Sequence, residues 1–226
     1  MSLTNLDSSK KLPVVIGITG ASGAVYGINL IKFFLDNDTR IELIISDNAV
    51  KVFKLELKLA LSASSPQENK KTLLNYLNID ESKSALLDIW HQDNVAACVS
   101  SGSYKTQGMI IAPASMGTIA NIANGTSNNL IARAADVILK ERRKLVLLAR
   151  EAPFNTIHLR NMLSLSEMGA IIVPASPGFY HQPLTLQDQI DFVIGKTLDV
   201  FGVENELFKR WQGARSEKLN NPIMSS

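Results

Sequence analysis

A run of aliphatic, mostly β-branched residues, Val14-Val15-Ile16-Gly17-Ile18, enters the turn Thr19-Gly20-Ala21-Ser22-Gly23 and opens at once into an amphipathic segment that begins Ala24-Val25-Tyr26-Gly27. No other stretch constrains the fold as tightly. A strand apolar at every position suits a sheet buried on both faces, the habit of parallel sheets in α/β proteins. Gly20 and Gly23 let the backbone turn sharply and approach a ligand closely. Strand, turn and helix in this order leave the first helical N–H groups for an anion, and Ser22 adds a hydroxyl at the same point. Gly20 and Gly23 stand three apart, and no G-x-G-x-x-G can be read in register. The spacing favours a mononucleotide or flavin phosphate over a dinucleotide. Glycines in a plain strand-to-helix turn would look the same, and Asp47, just past the second strand, keeps a ribose ligand in a nicotinamide enzyme open.

The pattern repeats along the chain. Helical spacing runs over 24–36, strands over 41–45, 108–115, 144–149 and 170–173, and helices over 116–124, 128–140, 155–168 and 185–200. After Ser46-Asp47-Asn48, which offers N-capping side chains, a further helix is expected through Val50, Phe53, Leu57 and Leu61. Residues 62–94 read as an elaboration with a short helical pattern through Leu73, Leu74 and Leu77. Ile110-Ile111-Ala112-Pro113-Ala114-Ser115 is echoed by Ile171-Ile172-Val173-Pro174-Ala175-Ser176. Both copies place Pro-Ala-Ser where a parallel strand leaves the sheet, the edge at which open α/β sheets bind ligands. The expected fold is α/β: a doubly wound, Rossmann-like (flavodoxin-like), mostly parallel sheet in a single domain over 13–212, with a loose polar stretch at 1–12 and a polar tail at 213–226.

Composition narrows the function. At 226 residues one domain is expected, and 46% hydrophobic against 19% charged residues is apolar for a lone small domain, which points to burial between subunits. A net charge of +2 gives no reason to expect nucleic acid. The single Cys98 excludes an intrachain disulfide framework and fits a reducing compartment. No secretory signal and no apolar run of about 18 residues is read, so no membrane span and a cytoplasmic location are expected. His91, His158 and His181 lack metal-ligand spacing, and G-x-S-x-G, G-x-x-x-x-G-K-S/T and an aspartate-rich magnesium pair are all missing from the sequence. A phosphate is therefore expected to be held by backbone and side chains without metal. Ser22, Lys140, Arg150, Tyr180 and Lys196, with Glu151 beside Arg150, lie at strand ends or on helices close behind; Arg offers a bidentate fork, Lys a point charge and Tyr a hydroxyl.

Several long motifs in order then make a specific signal. Ile18-Thr19-Gly20-Ala21-Ser22-Gly23-Ala24 with Tyr26-Gly27, Arg133-Ala134-Ala135-Asp136-Val137 with Leu139-Lys140-Glu141-Arg142-Arg143, Leu145-Val146-Leu147 with Arg150-Glu151-Ala152-Pro153, and Phe179-Tyr180-His181-Gln182-Pro183 together resemble the UbiX-type flavin prenyltransferases, formerly described as aromatic-acid decarboxylases. The resemblance spans about residues 13–212. It implies transfer of a dimethylallyl group from dimethylallyl monophosphate to N5 and C6 of reduced FMN, the flavin being substrate and no metal taking part. It also implies a homo-oligomer, a dodecamer in the family precedent, and a product that equips a separate prenylated-FMN-dependent decarboxylase. Carried over by position, Gly20, Ala21, Ser22, Ser46, the loop Ser115-Met116-Gly117-Thr118 and Arg150 meet FMN. Lys140, Arg150, Tyr180 and Lys196 hold the prenyl phosphate. Ser22, Glu56 and Glu151 match residues tied to proton handling or ordering of the site, and Trp211 closes it. One departure is Gly117, where many members carry lysine. Two other readings are a flavin-dependent cysteine decarboxylase of related fold, which would need a catalytic His in the first helix where 24–36 has none, and a non-catalytic FMN carrier.

Overall fold

The structure is a computed structural model that describes residues 11–62 and 65–211. The expected loose start, apart from residues 11 and 12, and the tail over 213–226 lie outside the described residues. Six parallel strands form one sheet: β1 (Val14–Ile18), β2 (Ile41–Ile45), β3 (Leu87–His91), β4 (Gly108–Ala114), β5 (Lys144–Ala149) and β6 (Ile171–Pro174), in the order β3-β2-β1-β4-β5-β6. Among the described residues seven α-helices connect or cover them: α1 (Ala24–Asp36), α2 (Asp47–Leu57), α3 (Pro66–Leu77), α4 (Met116–Ala123), α5 (Leu130–Lys140), α6 (Thr156–Glu167) and α7 (Leu186–Phe201). This is the doubly wound α/β architecture expected from the sequence.

Two cores explain why the strands read as unbroken apolar runs. Val14, Ile16 and Ile18 of β1 and Ile110 and Ala112 of β4 face one core, which they share with Phe34 of α1, Phe53 of α2 and Val193 of α7. Val15 of β1 and Met109 and Ile111 of β4 face the other, with Ile119 of α4, Ile131 of α5 and Leu165 of α6. A buried side chain of this size contributes about 1.5–3 kcal/mol, so alternation survives as alternation between two apolar faces. Gly27 brings α1 hard against the sheet: a Cβ there would lie 2.7 Å from the Ala112 carbonyl oxygen and 2.7 Å from Ile18 Cδ1. Among the described residues no helix is long and apolar enough to cross a membrane.

Two expectations are corrected. The helix after Ser46 stops at Leu57 because Lys58 takes a left-handed conformation, φ 55°, so Leu61 reaches the first core from the following loop and not from the helix. Residues 62–94 carry not only α3 but the edge strand β3.

The strand order reverses beside β1, so the carboxyl ends of β1 and β4 part around a crevice. Thr19, 2% exposed, spans it: its hydroxyl donates to the Pro113 carbonyl at 2.7 Å and accepts from the Ser115 N–H at 2.8 Å.

Candidate active site at the carboxyl edge of the sheet

The β1–α1 turn is not the open anion seat its sequence suggests. Gly23, at φ 108°, turns its N–H onto Glu56 of α2, 2.9 Å from Oε2 and 3.2 Å from Oε1, and the Ala24 N–H donates to Oε2 at 3.0 Å. Glu56 thus fills the amino end of α1 with a carboxylate of the chain itself. Burial would raise its pKa, but the Ser22 hydroxyl, the two backbone N–H groups and the Arg150 charge outweigh that and hold it below its ordinary range. Gly20 packs against the start of α2, where a Cβ would meet Asn48 Cβ at 2.5 Å.

Two helix amino ends flank the crevice. Ser46 closes β2 and caps α2, its Oγ accepting the Ala49 N–H at 3.1 Å. Ser115 closes β4 and caps α4, and its Oγ shares a hydrogen bond with Thr118 Oγ1 at 3.1 Å. Met116 is buried against the second core. Gly117, the next residue, has nothing within 4 Å of where a Cβ would stand, so the backbone of the first turn of α4 is open to approach.

Arg150 follows β5, its N–H bonded to the Ala114 carbonyl at 3.3 Å. Its guanidinium makes no hydrogen bond or ion pair with the described residues, yet its charge reaches Glu56 and Tyr26. Burial raises the Tyr26 phenol above its usual value and Arg150 offsets only part of that, so Tyr26 stays a donor at neutral pH. The neighbouring Glu151 carboxylate is exposed and accepts the Ala152 N–H at 3.0 Å.

Tyr180 belongs to a second group, built on α7. Its ring meets Phe192 at 5.6 Å, His181 at 5.8 Å and Trp211 at 5.9 Å, while His181 stacks on Phe192 at 5.0 Å. Lys196 lies one turn beyond Phe192 and so on the same side of α7. Its Nζ is 3.8 Å from Asp199, which also takes a two-pronged bond from Arg210 at 2.9 and 2.8 Å. Those Arg210 bonds are the main reason the Asp199 carboxyl stays below its ordinary pKa. Tyr180 and Trp211 remain 48% and 63% exposed.

Lys140 stands apart. It ends α5, four residues before β5 begins at Lys144, whereas Arg150 follows the far end of that six-residue strand, a separation of about 20 Å at strand rise. Its ammonium pairs with Glu141 at 2.5 Å. A single chain therefore gathers Gly20, Ala21, Ser22, Ser46, Glu56, Ser115–Thr118 and Arg150 at one edge, and Tyr180, Lys196 and Trp211 along α7. It does not bring Lys140 to either group. No hydrogen bond, ion pair or ring contact among the described residues joins Arg150 to the Tyr180 group. Thr19, Tyr26, Asp199 and Arg210 were not singled out from sequence; of these only Thr19 and Tyr26 lie within a recognisable motif. Among the described residues no three His, Cys, Asp or Glu side chains come together as a metal cluster.

The family model named Flavoprotein matches residues 2–203. The chain is 47% identical, over 87% of its length and 91% of the relative's, to the flavin prenyltransferase UbiX of Halalkalibacterium halodurans. It is 42% identical to that of Pseudomonas aeruginosa over 88% and 93% of the two chains. Among solved structures it is similar to a UbiX protein in complex with FMN and dimethylallyl pyrophosphate, with a TM-score of 0.78 and 36% identity over 91% of this chain and 100% of that one. It is also similar to a dodecameric FMN-dependent UbiX-like decarboxylase from Escherichia coli O157:H7, with a TM-score of 0.75 and 37% identity over 89% and 100%.

Proposed function

This chain belongs to the flavin prenyltransferases within the Flavoprotein family, and from that premise we propose that it joins a dimethylallyl group, taken from dimethylallyl monophosphate, to N5 and C6 of reduced FMN and releases phosphate without a metal. The observation that carries the site is Arg150, a guanidinium without a side-chain partner among the described residues, set at the carboxyl end of β5 within electrostatic reach of Glu56 and Tyr26.

The residues present fit a flavin mononucleotide. One phosphate needs one seat, and the capping hydroxyls of Ser46 and Ser115, the Thr118 hydroxyl and the open backbone at Gly117 supply candidates for it. A mononucleotide has no second phosphate to claim the amides that Glu56 occupies. Bound reduced flavin supplies the nucleophilic nitrogen and ring carbon.

The chain's own groups do the rest. Arg150, Tyr180 and Lys196 bind the prenyl phosphate and stabilise the charge that builds on it as the carbon–oxygen bond breaks. The aromatic rings of Tyr180 and Trp211 tolerate a cationic allyl group and keep water from it. Glu56, ionised and hydrogen-bonded to Ser22, orders the Ser22 hydroxyl at the site. Glu151 orders the turn that carries Arg150. Gly117, in the place of the frequent lysine, leaves the α4 amides as the phosphate's partners there.

Completing the set requires another copy. Ile157, Leu159 and Leu163 of α6, together with Phe179, Leu184 and Leu186, are exposed apolar side chains, more than a lone domain usually presents. This supports a homo-oligomer, and the dodecamer of the E. coli neighbour is the form we propose. In it a second copy's Lys140 joins Arg150, Tyr180 and Lys196. The product goes to a separate prenylated-FMN-dependent decarboxylase of the UbiD type, in the cytoplasm, where Cys98 stays a thiol.

Mixing the protein with FMN, a reductant and dimethylallyl monophosphate under nitrogen tests the reading. A flavin heavier by one isoprene unit is expected; unchanged flavin mass, with a positive control turning over, overturns it.

A further inference from the structure

Glu42 is a carboxylate in β2 with 0% exposure, at the end of the sheet away from the flavin crevice, and the chemistry proposed above does not use it. Burying a charge is costly unless it is paired and hydrogen-bonded, and this one is. Trp90 Nε1 donates to it at 2.7 Å, Arg40 lies 3.1 Å away, and the Tyr104 hydroxyl donates to Oε1. Burial first, and the Glu42 charge with it, push the Tyr104 pKa far up, so its O–H stays in place as a donor. Glu42 thereby anchors a segment more than fifty residues away in the chain, the stretch Ser101–Lys105.

That stretch is fixed from its other side by Arg143, whose Nη1 donates to the Tyr104 carbonyl at 2.7 Å and whose Nη2 donates to the Gly102 carbonyl at 2.6 Å. Arg143 also lies 4.0 Å from the Glu141 carboxylate, the partner of Lys140. Gly102 completes the contact. A Cβ there would fall 2.2 Å from Glu141 Oε1 and 2.7 Å from Lys140 Nζ. The ion-paired head of Lys140 therefore rests on the bare Cα of Gly102.

We propose that Ser101–Lys105, held by buried Glu42 through Tyr104 and by Arg143, is the seat that fixes where the Lys140 ammonium is presented, so that Gly102 and Tyr104 are positioning residues for the phosphate-binding lysine. This rests on the reading above that Lys140 serves the prenyl phosphate in an assembled particle. A lysine head is compact and its stem flexible, with much rotamer freedom to lose. Holding it against a fixed surface before the anion arrives removes part of that loss from binding.

Three single variants and two combinations decide it, with melting temperature and sedimentation recorded for each. Lys140→Ala is expected to raise KM for dimethylallyl monophosphate tenfold or more, on the order of one charge-assisted contact. Gly102→Ala deletes no hydrogen bond and displaces only the flexible ends of Lys140 and Glu141. It is expected to raise that KM about fivefold while kcat changes little, part of the same contact being lost. Tyr104→Phe, which keeps the ring and removes the anchor, should act in the same direction. Calorimetric titration of the FMN-loaded protein with dimethylallyl monophosphate should show the same weakening, with FMN affinity and particle size unchanged. In the Lys140→Ala background neither change should weaken binding further. If Lys140→Ala raises KM but Gly102→Ala and Tyr104→Phe do not, or if their effects persist without Lys140, the seat is overturned while the lysine's role stands. If Lys140→Ala itself leaves KM unchanged, both are overturned.

Discussion

Replacing Glu56 by Gln probes the carboxylate that fills the start of α1. The wild-type side chain accepts the Gly23 and Ala24 N–H groups at 2.9 and 3.0 Å and feels the Arg150 charge. A hydrogen bond to a charged acceptor is worth about 1.5–3 kcal/mol when shielded, and an anion at a helix amino end about 0.3–1 kcal/mol. Glu56 is exposed, so solvent screening keeps both at the low end. Gln retains one acceptor oxygen. The expected net loss is about 1 kcal/mol at neutral pH, a fall in melting temperature of about 2–4 °C for a domain of this size. Because the folded pKa of Glu56 lies below its ordinary 4.5, its contribution is complete above that value and disappears as pH falls through the lower, folded one. Wild type and variant should therefore differ at neutral pH and converge in acid. Differential scanning fluorimetry over this range, at matched protein concentration because assembly shifts melting, makes the comparison. An equal melting temperature at neutral pH, or a gap that persists undiminished in strong acid, would refute the assignment of Glu56 as the charged cap.

Two further outcomes follow from the crevice. Thr19→Val keeps the shape of a buried side chain but strips the Ser115 N–H of its acceptor and leaves the Pro113 carbonyl only the residue-19 backbone N–H, at 3.3 Å. Denaturant unfolding should show a loss of about 1–3 kcal/mol, and FMN titration a weaker complex, since Ser115 loses its anchor. Gly27→Ala forces a methyl group onto the Ala112 carbonyl, whereas Gly17→Ala meets only side chains at 3.2 Å or more. The first should cost about 1–3 kcal/mol and the second clearly less by the same measurement, and equal costs would contradict the close packing of α1.

The β1–α1 unit was legible because both cores demand apolar residues at every strand position and because its turn is local. β3 was not. Leu87-Asp88-Ile89-Trp90-His91 pairs only with β2 and is half-buried beyond Leu87, so it shows no long apolar run. Ser46, Ser115 and Arg150 were readable as site residues because each directly follows a strand. The partners that define their surroundings were harder to see: Glu56 reaches Gly23 across 33 residues, and Arg210 reaches Asp199 from an irregular segment without periodicity. Lys140 is marked by its motif, but the fold sets it at the opposite end of β5 from Arg150, a relation that no local pattern encodes.

In the assembly proposed above, with Lys140 and Arg150 at opposite ends of β5, each polypeptide would give at one boundary and receive at another. The unit of chemistry then differs from the unit of inheritance. A defect in one copy would then be felt in the pocket of its neighbour, and a particle of mixed copies would behave as a mosaic of pockets whose competence depends on who sits beside whom.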